Sequence, residues 1–178
     1  MNDIGLERGI VKLVPYNPIW KLLYQKESAF LQNILGGYIC GIKHIGSTSI
    51  PGIKAKPIID IAVAAENLSE LQDIIAIMQS NGYFYRGEQG IPNRHLFVKG
   101  SETMRTHHIH LMPINHDQWI THQLFRDYLI NHPGCALQYD FLKTSLKNKF
   151  PQDRTGYTDG KASFIKKVIE IAKKEEKL

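Results

Sequence analysis

The residues with the most chemical character fall in three short stretches. The first is His44-Ile45-Gly46-Ser47-Thr48-Ser49-Ile50-Pro51-Gly52, closely followed by Lys54 and Lys56. A turn made of glycine and three hydroxyl residues lets backbone approach a ligand. Its exposed N–H groups can cradle phosphate oxygens, and neighbouring ammonium groups attract the anion. The alternative is a polar turn whose Ser and Thr side chains satisfy their own backbone. The stretch is not a P-loop, because no Gly-Lys-Ser/Thr follows a glycine at the required spacing.

The second stretch is Pro57 to Ala65, with Asp60 near its middle. In extended chain Ile58, Asp60, Ala62 and Ala64 share one face and Ile59, Ile61 and Val63 the other. The β-branched face belongs in a core, so Asp60 projects from the small-residue face, where a ligand or cation can approach. A structural hydrogen bond is the other role open to it. The third stretch is His107-His108-Ile109-His110. Alternation puts His108 and His110 together, a geometry suited to a metal ion if Asp60 lies on a neighbouring strand; otherwise they are a partly solvated histidine pair. His44 is a weaker candidate for the same shell. Arg94, after Pro92-Asn93 at a strand start, offers a fork for phosphate or carboxylate. Arg126-Asp127 reads as an internal ion pair rather than a ligand clamp.

The elements that must position these groups are legible in outline. Ile10 to Val14 fits a short first strand. Asn17-Pro18 opens an amphipathic helix that runs to Leu35 and stops at Gly36-Gly37. Tyr38 to Ile45 and Pro57 to Ala65 read as strands, and the spacing of Leu68 to Ser80 predicts a helix. Tyr83 to Arg86, Arg94 to Val98 and Thr106 to Met112 follow as strands. From Asp117 the period turns helical, with Trp119, Ile120, Gln123, Leu124 and Tyr128 on one face. Further helices cover Ala136 to Phe150 and Lys161 to the end. Trp119, Phe125, Tyr128, Tyr139, Phe141 and Phe164 are expected in the core. The layout is mixed α/β with a helical C-terminal portion.

Composition bounds the function. The 178 residues suit one domain spanning 1–178, and 43% hydrophobic with 22% charged residues exclude wholesale disorder. No apolar run reaches the roughly 20 residues of a membrane span, and no secretory leader is evident. The two cysteines, Cys40 and Cys135, exclude a disulfide framework and a four-cysteine zinc site. A cytoplasmic protein with reduced thiols is expected. The net charge of +5 favours anionic ligands. It includes no dense basic block, and Lys173-Lys174-Glu175-Glu176-Lys177 mixes its signs, so nucleic acid is a poor candidate partner. Composition leaves the oligomeric state open.

Taken together, His44 to Gly52 and Lys56-Pro57-Ile58-Ile59-Asp60-Ile61 resemble the signature of the GrpB family of the nucleotidyltransferase superfamily. The resemblance continues through Arg94 to Phe97, His108 to His110, Trp119, Phe125 to Tyr128, Tyr139, Leu142-Lys143, Tyr157 and Lys161. It implies a polymerase-β-like fold, a mixed sheet backed by helices with its active face open. By resemblance, Gly46 and Ser47 match the Gly-Ser element that holds nucleotide phosphates, joined by Thr48, Ser49, Lys54, Lys56 and Arg94. Asp60 matches the first metal-binding acid, so the catalytic roles fall to Asp60 and Ser47. The second acid is replaced by Ala62, and His108 and His110 stand where a third carboxylate might lie. One carboxylate with imidazoles suits a single Mn²⁺, Ni²⁺ or Zn²⁺ better than a pair of Mg²⁺ ions. The expected partner is a nucleotide or phosphorylated small molecule, with metal-dependent nucleotidyl or phosphoryl transfer as the possible reaction. The alternative is a catalytically silent binding or accessory module, in keeping with the resemblance to domains fused to dephospho-CoA kinases.

Overall fold

The computed structural model describes residues 4–7, 9–101 and 103–175. In chain order these form β1 (Leu6–Glu7), α1 (Ile19–Leu35), β2 (Gly41–Ile45), a 3-10 turn (Ser47–Ser49), β3 (Ile59–Ala65), α2 (Leu71–Ser80) and β4 (Phe84–Tyr85). Then come β5 (His95–Gly100), β6 (Met104–Pro113), α3 (Asp117–Asn131), α4 (Pro133–Lys149), α5 (Arg154–Asp159) and α6 (Ala162–Glu175). Glu176 and Lys177 of the mixed-charge tail lie outside the described residues.

The sheet runs β2-β3-β6-β5-β4, with β1 also paired to β6. The central β3–β6 pair is parallel and every other pair antiparallel. Alternation on β3 divides two environments. Ile59, Ile61 and Val63 pack against α1 and α2 through Trp20, Leu31, Leu35, Ile74 and Met78. Ala62 and Ala64, on the other face, join Ile45, Met112 and Trp119 of α3. A Cβ on Gly41 would stand 2.9 Å from the Trp119 ring, so glycine and alanine form the shelf on which the indole lies. The small-residue face therefore receives Trp119 along most of its length, and is open to a ligand only at the Asp60 end. This corrects the expectation of an open face: helices flank the sheet on both sides.

Local chemistry explains most boundaries. Asn17 Oδ1 accepts from the Ile19 N–H at 3.0 Å, and Pro18 already has helical angles, which starts α1. Three expectations shift. The first strand is Leu6–Glu7, not Ile10 to Val14: Val11 instead packs beside Leu146 and Tyr157, and only Val14 bridges to Ala55. Helix α2 starts at Leu71 because Asn67 Oδ1 takes the Ser69 N–H at 2.8 Å in a turn of its own. Pro133 opens α4 rather than merely ending α3, as a proline at the first helical position can.

Two side-chain assignments also shift. The buried residues of α3 are Trp119, Thr121, Leu124, Phe125 and Leu129, while Ile120 is 49% exposed. Phe141, expected in the core, is 75% exposed. Helix α5 was not foreseen; Asp153 starts it by accepting from the Gly156 N–H at 2.9 Å. The helical layer grips the segment after the Gly46–Ser49 turn. Ile50 and Ile53 enter a cluster with Phe125, Leu129, Tyr139 and Val168. Asp140 accepts from the Lys54 backbone N–H at 2.7 Å and from its ammonium at 2.9 Å, while buried Lys143 donates to the Lys54 carbonyl. Arg126 pairs with Asp127 at 2.7 Å and donates to the His44 carbonyl at 2.8 Å, a structural role as expected.

Candidate functional site

The end of β2 turns sharply at Gly46, whose φ of +71° and ψ of −178° suit glycine almost alone. A Cβ there would sit 2.6 Å from Asp60 Oδ2, so the missing side chain is what lets the turn lie against the carboxylate. Ser49 Oγ donates to the Gly46 carbonyl at 2.5 Å, and Thr48 Oγ1 lies 3.0 Å from His44 Nε2. Those two hydroxyls are thus spent on the turn itself. Ser47 instead meets Tyr139. Burial pushes the Tyr139 phenol up to about 12, and its hydrogen bond with Ser47 works in the opposite direction.

The parallel register sets Asp60 opposite His108 and Ala62 opposite His110. All three functional side chains therefore share a face, with His108 Nδ1 3.1 Å and His110 Nε2 3.7 Å from Asp60 Oδ1. One donor atom from each lies within 4.8 Å of the others. Burial opposes ionisation of Asp60, but the hydrogen bond with His108 and the neighbouring His110 imidazole outweigh it and hold the carboxyl well below its ordinary range. Burial pushes the His108 imidazole down, and its Nδ1 faces Asp60 Oδ1. His108 Nε2 and His110 Nδ1 are shielded from solvent without a partner among the described residues, as is Nε2 of His122 on α3, whose ring lies 6.3 Å from that of His110.

These groups line a cavity of about 290 Å³ together with Gly46, Ser47 and Thr48. Lys56, Arg154 and Lys161 line it too, beside the phenols of Tyr139 and Tyr157. Other expected members are elsewhere. Lys54 is held by Asp140, and Ser49 faces away from the cavity into its own turn. Arg94 donates to Gln118 Oε1 at 3.2 Å. His44 pairs in register with Ile61 and stacks on Tyr24 of α1 at 4.7 Å, on the opposite face of the sheet from Asp60. Burial drives its imidazole down to about 4. Sequence reasoning missed His122 and Arg154, which helices α3 and α5 deliver from far along the chain.

The chain is thus a mixed α/β protein whose Gly-Ser turn, one carboxylate and paired imidazoles gather in a basic cavity. Its family follows from the sequence itself: residues 10–171 match the model of the GrpB protein family, so the chain belongs to the GrpB family. It is 34% identical over 170 residues to the glutamate-rich protein GrpB of Alkalihalophilus pseudofirmus, covering 93% of this chain and 98% of that one. It is 38% identical over 167 residues to the UPF0157 protein YqkA of Bacillus subtilis, covering 94% of this chain. It spans only 48%, about half, of that relative's length. The crystal structure of the conserved protein GrpB from Enterococcus faecalis superposes with a TM-score of 0.86 at 34% identity, covering 94% of this chain and all of that one. Among the described residues no helix is long and apolar enough to cross a membrane.

Proposed function

We propose that this protein is a binding module for a phosphorylated small molecule of the nucleotide class, assisted by one divalent cation at Asp60, His108 and His110. The observation that carries the reading is the convergence of those three donors beside the Gly46–Ser47 turn in a single basic cavity. The parallel central pair and the turn lying against Asp60 support a kinship with polymerase-β-like nucleotidyltransferases.

The donors fit a single ion. Tetrahedral bonds of about 2.1 Å space neighbouring ligand atoms by about 3.4 Å. The separations of 3.1 and 3.7 Å from Asp60 Oδ1 straddle that value. Two nitrogens and one oxygen favour Zn²⁺, Ni²⁺ or Mn²⁺ over Mg²⁺, which prefers oxygen. When bound, the ion would polarise a phosphoryl oxygen. Ser47 and the turn would orient the phosphate, and Trp119 keeps water from the adjoining shelf. Two-metal transfer needs further acids, and Ala62, the position of the second, is wholly buried. This favours the catalytically silent alternative over nucleotidyl transfer.

Titration of the metal-free protein with Zn²⁺, Mn²⁺ and Ni²⁺ tests the metal half. Asp60→Asn and His110→Ala should each weaken binding by more than the 10–100-fold typical of losing an outer-shell partner. Calorimetry with ADP, with and without the metal, should show tighter binding in its presence and weaker binding in Ser47→Ala. Wild-type metal affinity in Asp60→Asn, or no affinity for ADP in any state, would overturn the reading.

A further inference from the structure

Lys56, Arg154 and Lys161 come from the segment before β3, the start of α5 and the residue before α6, yet they line one cavity. None of the three makes a salt bridge or hydrogen bond to an acidic side chain among the described residues. Their close contact is instead aromatic: the ammonium groups of Lys56 and Lys161 lie 5.3 and 4.4 Å from the centre of the Tyr157 ring. Among the described residues the only carboxylate in the cavity is Asp60, already engaged by His108. Half-buried cations without counter-ions are held at a cost. Burial first, and then mutual repulsion with Arg154 or Lys56, pushes Lys56 down to about 8 and Lys161 down to about 7. Among the described residues these three cationic side chains thus face one carboxylate, Asp60, which only partly offsets their burial and mutual repulsion.

The donors around this wall select among anions. Arg154 provides a planar fork, Lys56 and Lys161 provide point charges, and the buried phenol of Tyr157 is held in its protonated, donating form. They approach the cavity from separate elements. A phosphoryl group, with oxygens directed tetrahedrally and two or more charges, meets such a set better than a planar carboxylate does. The volume of about 290 Å³ lies just below the roughly 300–1,000 Å³ typical of ligand pockets. It has room to enclose phosphates while the rest of a ligand extends outward.

We propose that Lys56, Arg154 and Lys161 form a diphosphate subsite that works without a metal ion, so that the ligand of this cavity is a compound bearing a diphosphate. The proposal rests on the cavity being the ligand site, but not on the Asp60 metal cluster. The test is calorimetric titration of the EDTA-treated full-length protein with inorganic pyrophosphate, inorganic phosphate and citrate. Pyrophosphate should bind at least tenfold more tightly than either of the other two. Lys161→Met and Arg154→Gln should each weaken it at least tenfold. Asp60→Asn should bind it more tightly, because a repelling carboxylate is gone, although that variant loses metal. Without ligand, Lys161→Met should melt above wild type, since a buried, poorly compensated amine has been removed. Wild-type pyrophosphate affinity in Lys161→Met, citrate binding as tight as pyrophosphate, or a lower melting point for that variant would each overturn the subsite. Failure of the metal reading would appear separately, as unchanged Zn²⁺ affinity in Asp60→Asn.

Discussion

Replacing Gly46 by alanine should cost the protein both stability and metal affinity. The residue holds φ at +71° and ψ at −178°, a region in which a side chain is strained. Its new Cβ would meet Asp60 Oδ2 at 2.6 Å, against the carboxylate of the proposed cation site. Backbone strain of about 1–3 kcal/mol adds to the cost of displacing Asp60, for a loss of roughly 2–4 kcal/mol. In a chain of this size that lowers Tm by about 5–15 °C. Gly52→Ala is the control. Its φ is +84°, but no atom lies within 4 Å of the added Cβ, so only the backbone term of about 1–2 kcal/mol applies and Zn²⁺ binding should persist. Zn²⁺ affinity in Gly46→Ala equal to that of Gly52→Ala would show that the turn does not position Asp60.

Placing an acid at position 62 should harm the protein rather than activate it. Ala62 is wholly buried in one cluster with Ile45, Ala64, Met112 and Trp119. A carboxylate there has no water. The nearest partner in register is His110, whose Nε2 already faces Asp60. An uncompensated buried charge costs about 3–5 kcal/mol, and Trp119→Ala alone should cost a similar amount through its cavity. The informative measurement is the double variant. If the indole is what seals the shelf, Ala62→Asp should cost at least about 1 kcal/mol less in the Trp119→Ala background, because solvent then reaches the acid. Strict additivity in urea unfolding would mean that Trp119 does not exclude a second acid.

Period-two alternation carried the sheet. It separated Ile59, Ile61 and Val63 from Asp60, and His108 and His110 from Ile109, because facing two sides is a local property of extended chain. What alternation lacks is register. His44 precedes the Gly46 turn by two residues and reads as a neighbour of Asp60, but its partner is Ile61, which turns its ring toward α1. Lys54 and Lys56 look equivalent in sequence; Asp140, 86 positions later, captures only the first. The helical layer was hardest to read. Trp119 lies on a shelf made by Gly41, Ala62 and Ala64, whereas Phe125 and Leu129 meet Ile50 and Ile53, so no single stripe on α3 marks its inner side. Arg154 joins Lys56 and Lys161 only through tertiary packing around Tyr157, which no local pattern encodes.

The parallel pairing of β3 with β6 has a kinetic side. Asp60 and His108 are 48 positions apart in the chain, with α2, β4 and β5 between them. That contact comes only after a long loop has closed, and such non-local pairings slow folding. A cation bridging the two strands would therefore find no formed site until β6 had docked. Its grip would act on escape from the native state, leaving the folding rate nearly untouched while lengthening the lifetime of the folded chain. Chelation would then be felt as faster unfolding, concentrated at the centre of the sheet rather than at its edges.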